Sequence, residues 1–358
     1  MSVLDASGQG ATRLELNTLD GVSTLDGLLD AYPGRAVVVG MSKDRNAKVT
    51  LLLVPPGVSH PALAVKIPTT AAAAAAVEAE RRVLVELHGS AARTVLTGVP
   101  RVLGTLQWAG PPAMVVSALP GTPMTTHYHR YRHTARPAAV ARDFEAVDRW
   151  LAAFQSATGG PAAPIDMGRA LGQRLRERFA DEPGLDEVLE RLDEAHASLS
   201  QACTPRTAVH GDLWFGNVLV ANGVSGVVDW ESGAVSGEPL RDVVRFAITY
   251  ALYLDRHTRS ARPVAGHAGL RAGAWGAGIA FAVRGSGWFP ELFRGFLDRA
   301  LRRLGAPGTL WPSAVLAGLA EVAASADHDD FAAAHLRLLA RLGPGPARGG
   351  GGGVRVPR

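Results

Sequence analysis

The sequence predicts an α+β protein in which a β-rich N-terminal part is followed by a mostly helical C-terminal part. Up to about residue 118, short aliphatic and β-branched runs alternate with turn material, which is typical of antiparallel strands joined by hairpins. The predicted strands are Ala36–Val39, Val49–Val54, Leu63–Ile67, Val99–Leu106 and Ala113–Ala118. Further along, apolar residues recur every three or four positions, which indicates helices.

One helix is predicted inside the β-rich part, over Ala71–Gly89, where Ala, Glu, Arg and Leu dominate. Residues 1–30 suggest a short helix or an edge strand. A short β-rich piece, Thr207–Asp229, interrupts the later helices. Those helices are predicted over Phe144–Ala157, Arg169–Phe179, Leu185–Leu199, Leu240–Leu254, Glu291–Leu304 and Ser313–Ala324.

The pattern divides the chain into three segments. Residues 1–118 form the β-rich part and residues 119–342 the helical part. The tail over 343–358 contains five consecutive glycines and several arginines, so we expect it to be disordered.

The composition is that of a soluble globular protein, because 47% of the 358 residues are hydrophobic and 20% are charged. Three arginines of the tail account for most of the net charge of +4, so the rest of the chain is nearly neutral. We therefore expect no nucleic-acid partner. No uncharged apolar run approaches the roughly 18–20 residues of a membrane span, and the N-terminus lacks a signal-peptide pattern. We therefore expect a cytoplasmic protein. The single cysteine, Cys203, excludes an intrachain disulfide.

The residues with the clearest chemistry lie between His210 and Glu231. Two short strands flank an Asn-Gly turn there, and the hairpin they predict folds Asn217 back towards Asp229. Asp212 precedes Asn217 by five residues, so three oxygen-bearing side chains converge. Phosphoryl transfer needs a carboxylate for the attacking hydroxyl and oxygen ligands for Mg²⁺. The alternative is a polar hairpin whose side chains only cap turns.

The N-terminal part supplies an independent indication. Lysine is rare, and Lys66 lies in the predicted strand, outside the turn Gly40–Lys48 that holds the other two lysines. A strand lysine can hold nucleotide phosphates when a helix glutamate positions it. Glu80 follows 14 residues later, and Glu78, rotated about 200° around the helix, is its competitor. Taken alone, Lys66 would be a solvated lysine at a strand end.

These motifs resemble those of the aminoglycoside phosphotransferase and choline kinase-like superfamily, relatives of the protein kinases. The family's H-G-D-x-x-x-x-N loop is matched by His210–Asn217, and its (I/V)-D-(W/F)-E segment by Val228–Glu231. The resemblance implies a two-lobed protein-kinase-like fold. Its N-lobe would hold a small antiparallel sheet with one helix, and its larger C-lobe would be mostly helical and contribute the acceptor pocket.

The resemblance also implies individual roles. Asp212 would be the catalytic base, Asn217 and Asp229 the Mg²⁺ ligands, and His210 a loop-bracing residue, with a general-base histidine as the alternative. Glu80 is favoured over Glu78 because the spacing of Glu80, Leu84 and Leu87 resembles the family's helix. Asp242 would cap a helix or brace the catalytic loop.

The nucleotide contacts follow from the same resemblance. Met114–Gly121 is similar to the linker between the lobes, so backbone groups from Ser117 to Leu119 would receive the adenine edge. The chain lacks Gly-x-Gly-x-x-Gly, and the phosphate-covering turn would be Gly40–Asn46, with Ser42 either contacting phosphate or belonging to an ordinary hairpin.

The expected protein is an ATP- and Mg²⁺-dependent phosphotransferase acting on a hydroxyl of an aminoglycoside-, sugar- or choline-like molecule, as a monomer or homodimer. The absence of an Ala-Pro-Glu element argues against a protein kinase. The other alternative is a nucleotide-binding pseudokinase with a regulatory role.

Three features could contribute to acceptor binding, and each also has a purely structural explanation: the basic insert Thr126–Arg136, an acidic cluster, and a set of aromatic residues. The acids are Asp327, Asp329 and Asp330; the aromatics are Tyr250, Tyr253, Trp275, Trp288 and Phe289.

Overall fold

The computed structural model describes residues 21–41, 47–90, 96–168 and 170–342, apart from the side chain of Met41. The predicted phosphate contact Ser42 and the tail over 343–358 lie outside these ranges. The chain forms two compact units. The first takes its described residues from Met1–Tyr131, Arg142–Ala162 and Pro205–Asp242, and the second from Arg132–Ala141, Ala163–Thr204 and Val243–Arg358.

A five-stranded antiparallel sheet lies in the first unit. Its strand order is β1-β2-β3-β5-β4, and all four pairings are antiparallel. The five predicted strands are confirmed, with ends shifted by at most three residues. The strands are β1 (Arg35–Met41), β2 (Lys48–Val54), β3 (Leu63–Pro68), β4 (Val102–Leu106) and β5 (Ala113–Ser117).

The apolar face of this sheet packs against helix α1 (Leu25–Ala31). Residues 1–30 suggested a short helix or an edge strand, and their described part contains this helix. The Thr24 hydroxyl caps its N-terminus by accepting a hydrogen bond from the Gly27 amide. The buried members of this core are Leu25, Leu28, Tyr32, Leu51, Leu53, Leu63, Val65, Ile67, Leu106, Ala113 and Val115. Side chains alternate along a strand, so Lys48, Thr50 and Lys66 project from the opposite face.

Helix α2 (Ala71–Gly89) has the predicted bounds. Thr70 caps its N-terminus by accepting a hydrogen bond from the Ala73 amide. Its buried residues recur at helical spacing, and Glu80 is the one charged member of that buried set within the described range.

The remaining strands and two further helices lie in the first unit or run across its boundary. The predicted hairpin is present, with Val218 paired with Val227. The turn is one residue longer than the Asn-Gly pair, because the register shifts between Leu219 and Val220. The intervening elements are β6 (Thr122–Pro123), α3 (Met124–Tyr128), α4 (Pro137–Ala157), β7 (Ala162–Pro164), β8 (Cys203–Pro205), β9 (Thr207–Val209), β10 (Val218–Val220), β11 (Val224–Val227) and β12 (Ala234–Gly237).

The second unit is mostly helical, as the periodicity predicts. Two of its helices were not predicted. Ala277–Arg284 is only eight residues long and starts after a left-handed glycine, and Asp329–Arg341 starts at an acidic pair that suggested a cap or a loop. Helix α7 (Leu240–Leu252) crosses into the second unit after Asp242. The other helices of this unit are α5 (Leu171–Arg178), α6 (Leu185–Leu199), α8 (Ala277–Arg284), α9 (Trp288–Arg303), α10 (Trp311–Ser325) and α11 (Asp329–Arg341).

Among the described residues, no helix combines the length and the apolar character needed to cross a membrane.

His335 is a buried titratable residue in the second unit. Its side chain packs against Trp275 and Phe331, at ring-centroid distances of 4.7 and 4.4 Å. Its Nδ1–H donates a hydrogen bond to the Phe331 carbonyl over 2.8 Å. Burial lowers the pKa of His335 to about 4, so the folded protein holds this ring neutral.

This burial predicts a loss of stability in acid. Because the folded pKa lies below the unfolded value, the stabilisation is complete above about pH 6.5 and is lost as the pH falls towards 4. When the pH falls from 7 to 5, we expect protonation of His335 to lower the unfolding free energy by about 2 kcal/mol. Urea unfolding at both pH values should show that the wild type loses about 2 kcal/mol more than His335→Asn.

The control for this test is His60→Asn, because His60 is exposed and its replacement removes no buried ring. The pKa of His267 is also lowered by burial, but this residue is present in every variant, so the comparison isolates His335. An unchanged pH dependence in His335→Asn would contradict the assignment.

Candidate active site

The loop between β9 and β10 is held in shape by its main chain. Gly211 has φ of +80°, and a Cβ atom there would overlap the Ser232 carbonyl oxygen, so the position accepts only glycine. The buried carboxylate of Asp242 accepts hydrogen bonds from the amides of His210 at 2.7 Å and Gly211 at 2.8 Å. Of its two predicted roles, these contacts favour bracing the loop. Burial raises the pKa of Asp242.

His210 is fully buried and both ring nitrogens are engaged. Nε2–H donates to the Val228 carbonyl over 2.9 Å, and Nδ1 accepts a hydrogen bond from the Asp212 amide at 3.3 Å. These contacts assign the Nε2–H tautomer. The ring therefore braces the Asp212 main chain and has no free nitrogen for base chemistry.

Asn217 connects the same loop to the hairpin. Its Nδ2 donates to the Asp212 carbonyl at 3.1 Å, and its own carbonyl accepts a hydrogen bond from the Val228 amide at 3.0 Å. The hairpin thus places Asn217 beside the residue that precedes Asp229. Among the described residues, none donates a hydrogen bond to the Asn217 Oδ1.

Lys66 lies between two carboxylates. Its Nζ is 2.6 Å from both carboxylate oxygens of Glu80 and 2.9 Å from Oδ1 of Asp229. Its side chain is 9% exposed and that of Glu80 is 1% exposed. Glu80 also accepts a hydrogen bond from the Trp230 amide at 3.1 Å, so one carboxylate joins α2, β3 and the segment after β11. Glu78 instead forms a solvent-exposed pair with Arg81 on the helix.

These charges determine the protonation states of the site. Burial alone lowers the pKa of Lys66, but the charges of Glu80 and Asp229 outweigh it and raise the pKa overall. Burial raises the pKa of Asp229, but Lys66 and Lys48 outweigh it and hold this pKa well below its usual range. Lys66 is therefore a cation and Asp229 an anion at neutral pH.

The donor set suits a hard cation. Lys48 and Lys66 both contact Oδ1 of Asp229, and no described residue donates a hydrogen bond to Oδ2 of Asp229. Asn217 contributes a neutral carbonyl oxygen whose amide nitrogen is already engaged. A carboxylate and an amide oxygen are ligands that Mg²⁺ accepts. Asp229 also has φ of +73°, a conformation that costs energy in a non-glycine residue and recurs at functional sites.

Sequence reasoning missed two residues of this cluster. Lys48 is the first residue of β2, so its placement in the preceding turn was wrong. Its Nζ lies 2.7 Å from Oδ1 of Asp229 and 2.5 Å from Oε2 of Glu231. Glu231 ends the segment Val228–Glu231, and the sequence indicates no role for it. The available signal was the rarity of lysine combined with strand alternation, which puts Lys48 and Thr50 on one face.

The two residues predicted to receive the adenine edge, Ser117 and Leu119, differ in their main-chain contacts. The Ser117 amide donates to the Arg101 carbonyl, and the Ser117 hydroxyl accepts a hydrogen bond from the Arg101 amide, both at 2.9 Å. The Ala118 amide donates to the Ala62 carbonyl. Within the described ranges, no group accepts a hydrogen bond from the Leu119 amide.

Most of the residues that could bind the acceptor instead pack against other side chains or form ion pairs. Tyr250 and Phe289 are fully buried and stack on each other. Asp329 lies in the first turn of α11 and pairs with Arg178 at 2.7 Å. In the basic insert, Tyr128 is buried and stacks on Phe215 of the Asp212 loop, at a centroid distance of 4.5 Å.

The chain belongs to the phosphotransferase enzyme family (APH), whose sequence profile matches residues 53–279. As a member of that family, it is a small-molecule kinase. A comparison with curated proteins gives no match.

Solved structures are similar to this chain at low sequence identity. A thermostable mutant of aminoglycoside phosphotransferase APH(4)-Ia, in ternary complex with ADP and hygromycin B, is 12% identical and has a TM-score of 0.50, covering 87% of this chain and 95% of its own. A related mutant complex with AMP-PNP and hygromycin B is 13% identical with a TM-score of 0.50, covering 86% and 93%. A glucosamine kinase is 21% identical with a TM-score of 0.47, covering 87% and 75%.

The buried ion pair predicts a large difference between two glutamates on one helix. In Glu80→Gln the Lys66 ammonium loses its main partner inside the protein, so we expect a loss of about 3 kcal/mol in unfolding free energy. In Glu78→Gln a solvent-exposed pair is lost, and the expected change is below about 0.5 kcal/mol. Urea unfolding of the two variants measures both values, and equal losses would contradict the role given to Glu80.

Proposed function

We propose that the protein transfers the γ-phosphoryl group of ATP, with Mg²⁺, to a hydroxyl of a small molecule. The observation that carries the proposal is the buried Lys66–Glu80 pair joined to Asp229. A fixed lysine beside an ionised aspartate is the arrangement that phosphoryl transfer uses to hold phosphates and metal together. Family membership supports the reaction class.

In this proposal Asp212 orients the acceptor hydroxyl and takes its proton. The hydroxyl oxygen forms a bond to the γ-phosphorus, the bond from that phosphorus to the bridging oxygen breaks, and ADP leaves. The main chain of Asp212 is held on both sides, by the ring of His210 and by the amide of Asn217. Such bracing favours one orientation of the carboxylate, which is what a positioned base requires.

Asn217 and Asp229 would hold the metal through the two oxygens to which no described residue donates. A bound Mg²⁺ would neutralise phosphate charge as it develops. Lys66, fixed by both oxygens of Glu80, would contact the phosphates. Its raised pKa keeps the ammonium charged throughout the physiological range.

We assign nucleotide binding to residues 1–118 and acceptor binding to residues 119–342. For the adenine edge, the Leu119 amide is the stronger candidate of the two hinge residues, because the Ser117 amide and hydroxyl already contact Arg101. The ADP and AMP-PNP named in the two APH(4)-Ia complexes agree with an adenine nucleotide. Hygromycin B in the same complexes puts an aminoglycoside first among the acceptors to test, with sugars and choline-like alcohols next.

The test is phosphate transfer from [γ-³²P]ATP to a panel of hydroxylated small molecules. For the acceptor that reacts, Asp212→Asn should lower kcat by about 10³-fold, because removal of a positioned general base has that effect. The matched control is Asp193→Asn, which changes an exposed aspartate of α6 and should transfer phosphate like the wild type. Equal rates in the wild type and Asp212→Asn would contradict the assignment.

The pseudokinase alternative predicts binding without transfer. If the protein binds MgATP, millimolar nucleotide should raise its melting temperature by mass action. A clear shift with no labelled product across the whole panel would favour a regulatory nucleotide-binding role.

A further inference from the structure

Lys48 presents a second ammonium to the Asp229 carboxylate. Its Nζ contacts Oδ1 of Asp229 at 2.7 Å and Oε2 of Glu231 at 2.5 Å, and its side chain is 14% exposed. Two of the chain's three lysines therefore contact one carboxylate oxygen. Neither Lys48 nor Glu231 has a part in the reaction proposed above.

The sheet register explains how the two lysines meet. Thr50 of β2 is the partner of Lys66 on β3, and Lys48 lies two residues before Thr50. Residues two apart share a face, so both ammonium groups project from the same side of adjacent strands. Lys48 is also the first residue of β2, next to the turn expected to cover the phosphates.

The two lysines differ in how firmly they are held. Lys66 contacts both oxygens of Glu80, a carboxylate that is 1% exposed. Lys48 contacts one oxygen each of Asp229 and Glu231, carboxylates that are 33% and 25% exposed. An ammonium on a flexible four-carbon stem can exchange partly solvated partners at little cost. Lys66 is thus fixed, whereas Lys48 can move.

The charge balance gives Lys48 a reason to move. Two lysines face three carboxylates, those of Glu80, Asp229 and Glu231, which leaves one net negative charge. A divalent cation at Asp229 would reverse the sign of this cluster and repel the Lys48 ammonium. Phosphate groups arriving with the cation would make the site negative again and attract it.

We propose that Lys48 is an exchangeable cation of the nucleotide site. Without nucleotide it is the counter-ion of Asp229 and Glu231 and competes with the metal. With nucleotide bound it contacts phosphate oxygens beside Lys66. This inference rests on the proposed function, since it requires a metal nucleotide at Asp229.

The proposal predicts that one substitution changes two affinities in opposite directions. In Lys48→Met the competing charge is gone, so the nucleotide-free protein should bind Mn²⁺ about 10-fold more tightly. The same variant should bind MgADP about 10-fold more weakly, because a phosphate contact is lost. Lys48→Arg keeps the charge and should stay close to the wild type in both. Electron paramagnetic resonance of free Mn²⁺ measures the first affinity and titration calorimetry the second.

Arg302→Met is the matched control, because it removes an exposed ion pair with Asp298 on α9 and should change neither affinity. If Lys48 forms only a structural ion pair, Lys48→Met should lower the melting temperature. The Mn²⁺ and MgADP affinities should then stay unchanged or fall together. Either result would overturn the proposal. If Lys48→Met does not fold, Lys48→Gln carries the same expectations, since its amide can donate to both carboxylates without a charge.

The same experiment separates this inference from the proposed function. Opposite affinity shifts in a protein that transfers phosphate to no acceptor would support Lys48 and contradict the transferase reaction. Phosphate transfer by the wild type, with Mn²⁺ and MgADP affinities unchanged in Lys48→Met, would contradict Lys48 alone. A wild type that binds neither Mn²⁺ nor MgADP would overturn both.

Discussion

The organisation of the first unit depends on one buried ammonium, that of Lys66, held between Glu80 and Asp229. A charge removed from water is tolerated only when opposite charges and hydrogen bonds replace the lost solvation. Glu80 meets that requirement with both oxygens and also accepts the Trp230 amide. Strand β3, helix α2 and the segment after β11 must therefore come together for any of them to bury these groups.

A second constraint acts on the loop that carries Asp212, and it operates through the main chain. The carboxylate of Asp242 accepts the amides of His210 and Gly211, and the ring of His210 joins the Val228 carbonyl to the Asp212 amide. These are buried hydrogen bonds whose loss would leave polar groups without partners. These contacts fix the main chain of the loop on both sides of Gly211 and at the Asp212 amide.

The strands and α2 were predictable because their signals are local. The alternation of a strand and the apolar spacing of a helix are each contained within a short stretch of sequence. Strands β1 to β5 and helix α2 could therefore be assigned from periodicity. Helix α8 is only eight residues long, and the acidic first turn of α11 suggested a cap or a loop, so neither was predicted. The ion pairs of Lys48 were missed for another reason: its partners lie more than 180 residues away along the chain, and no local pattern reports such a contact.

By itself the sequence determined the α+β architecture, the hairpin between Asn217 and Asp229, and the candidate set of Asp212, Asn217, Asp229, Lys66 and Glu80. It did so because spacing controls which side chains share a strand, a helix face or a turn. Only the tertiary structure decided that Lys66 is buried against both oxygens of Glu80, and that Lys48 shares Asp229 with it. Those choices depend on which charges are buried together, and burial arises only when distant segments pack.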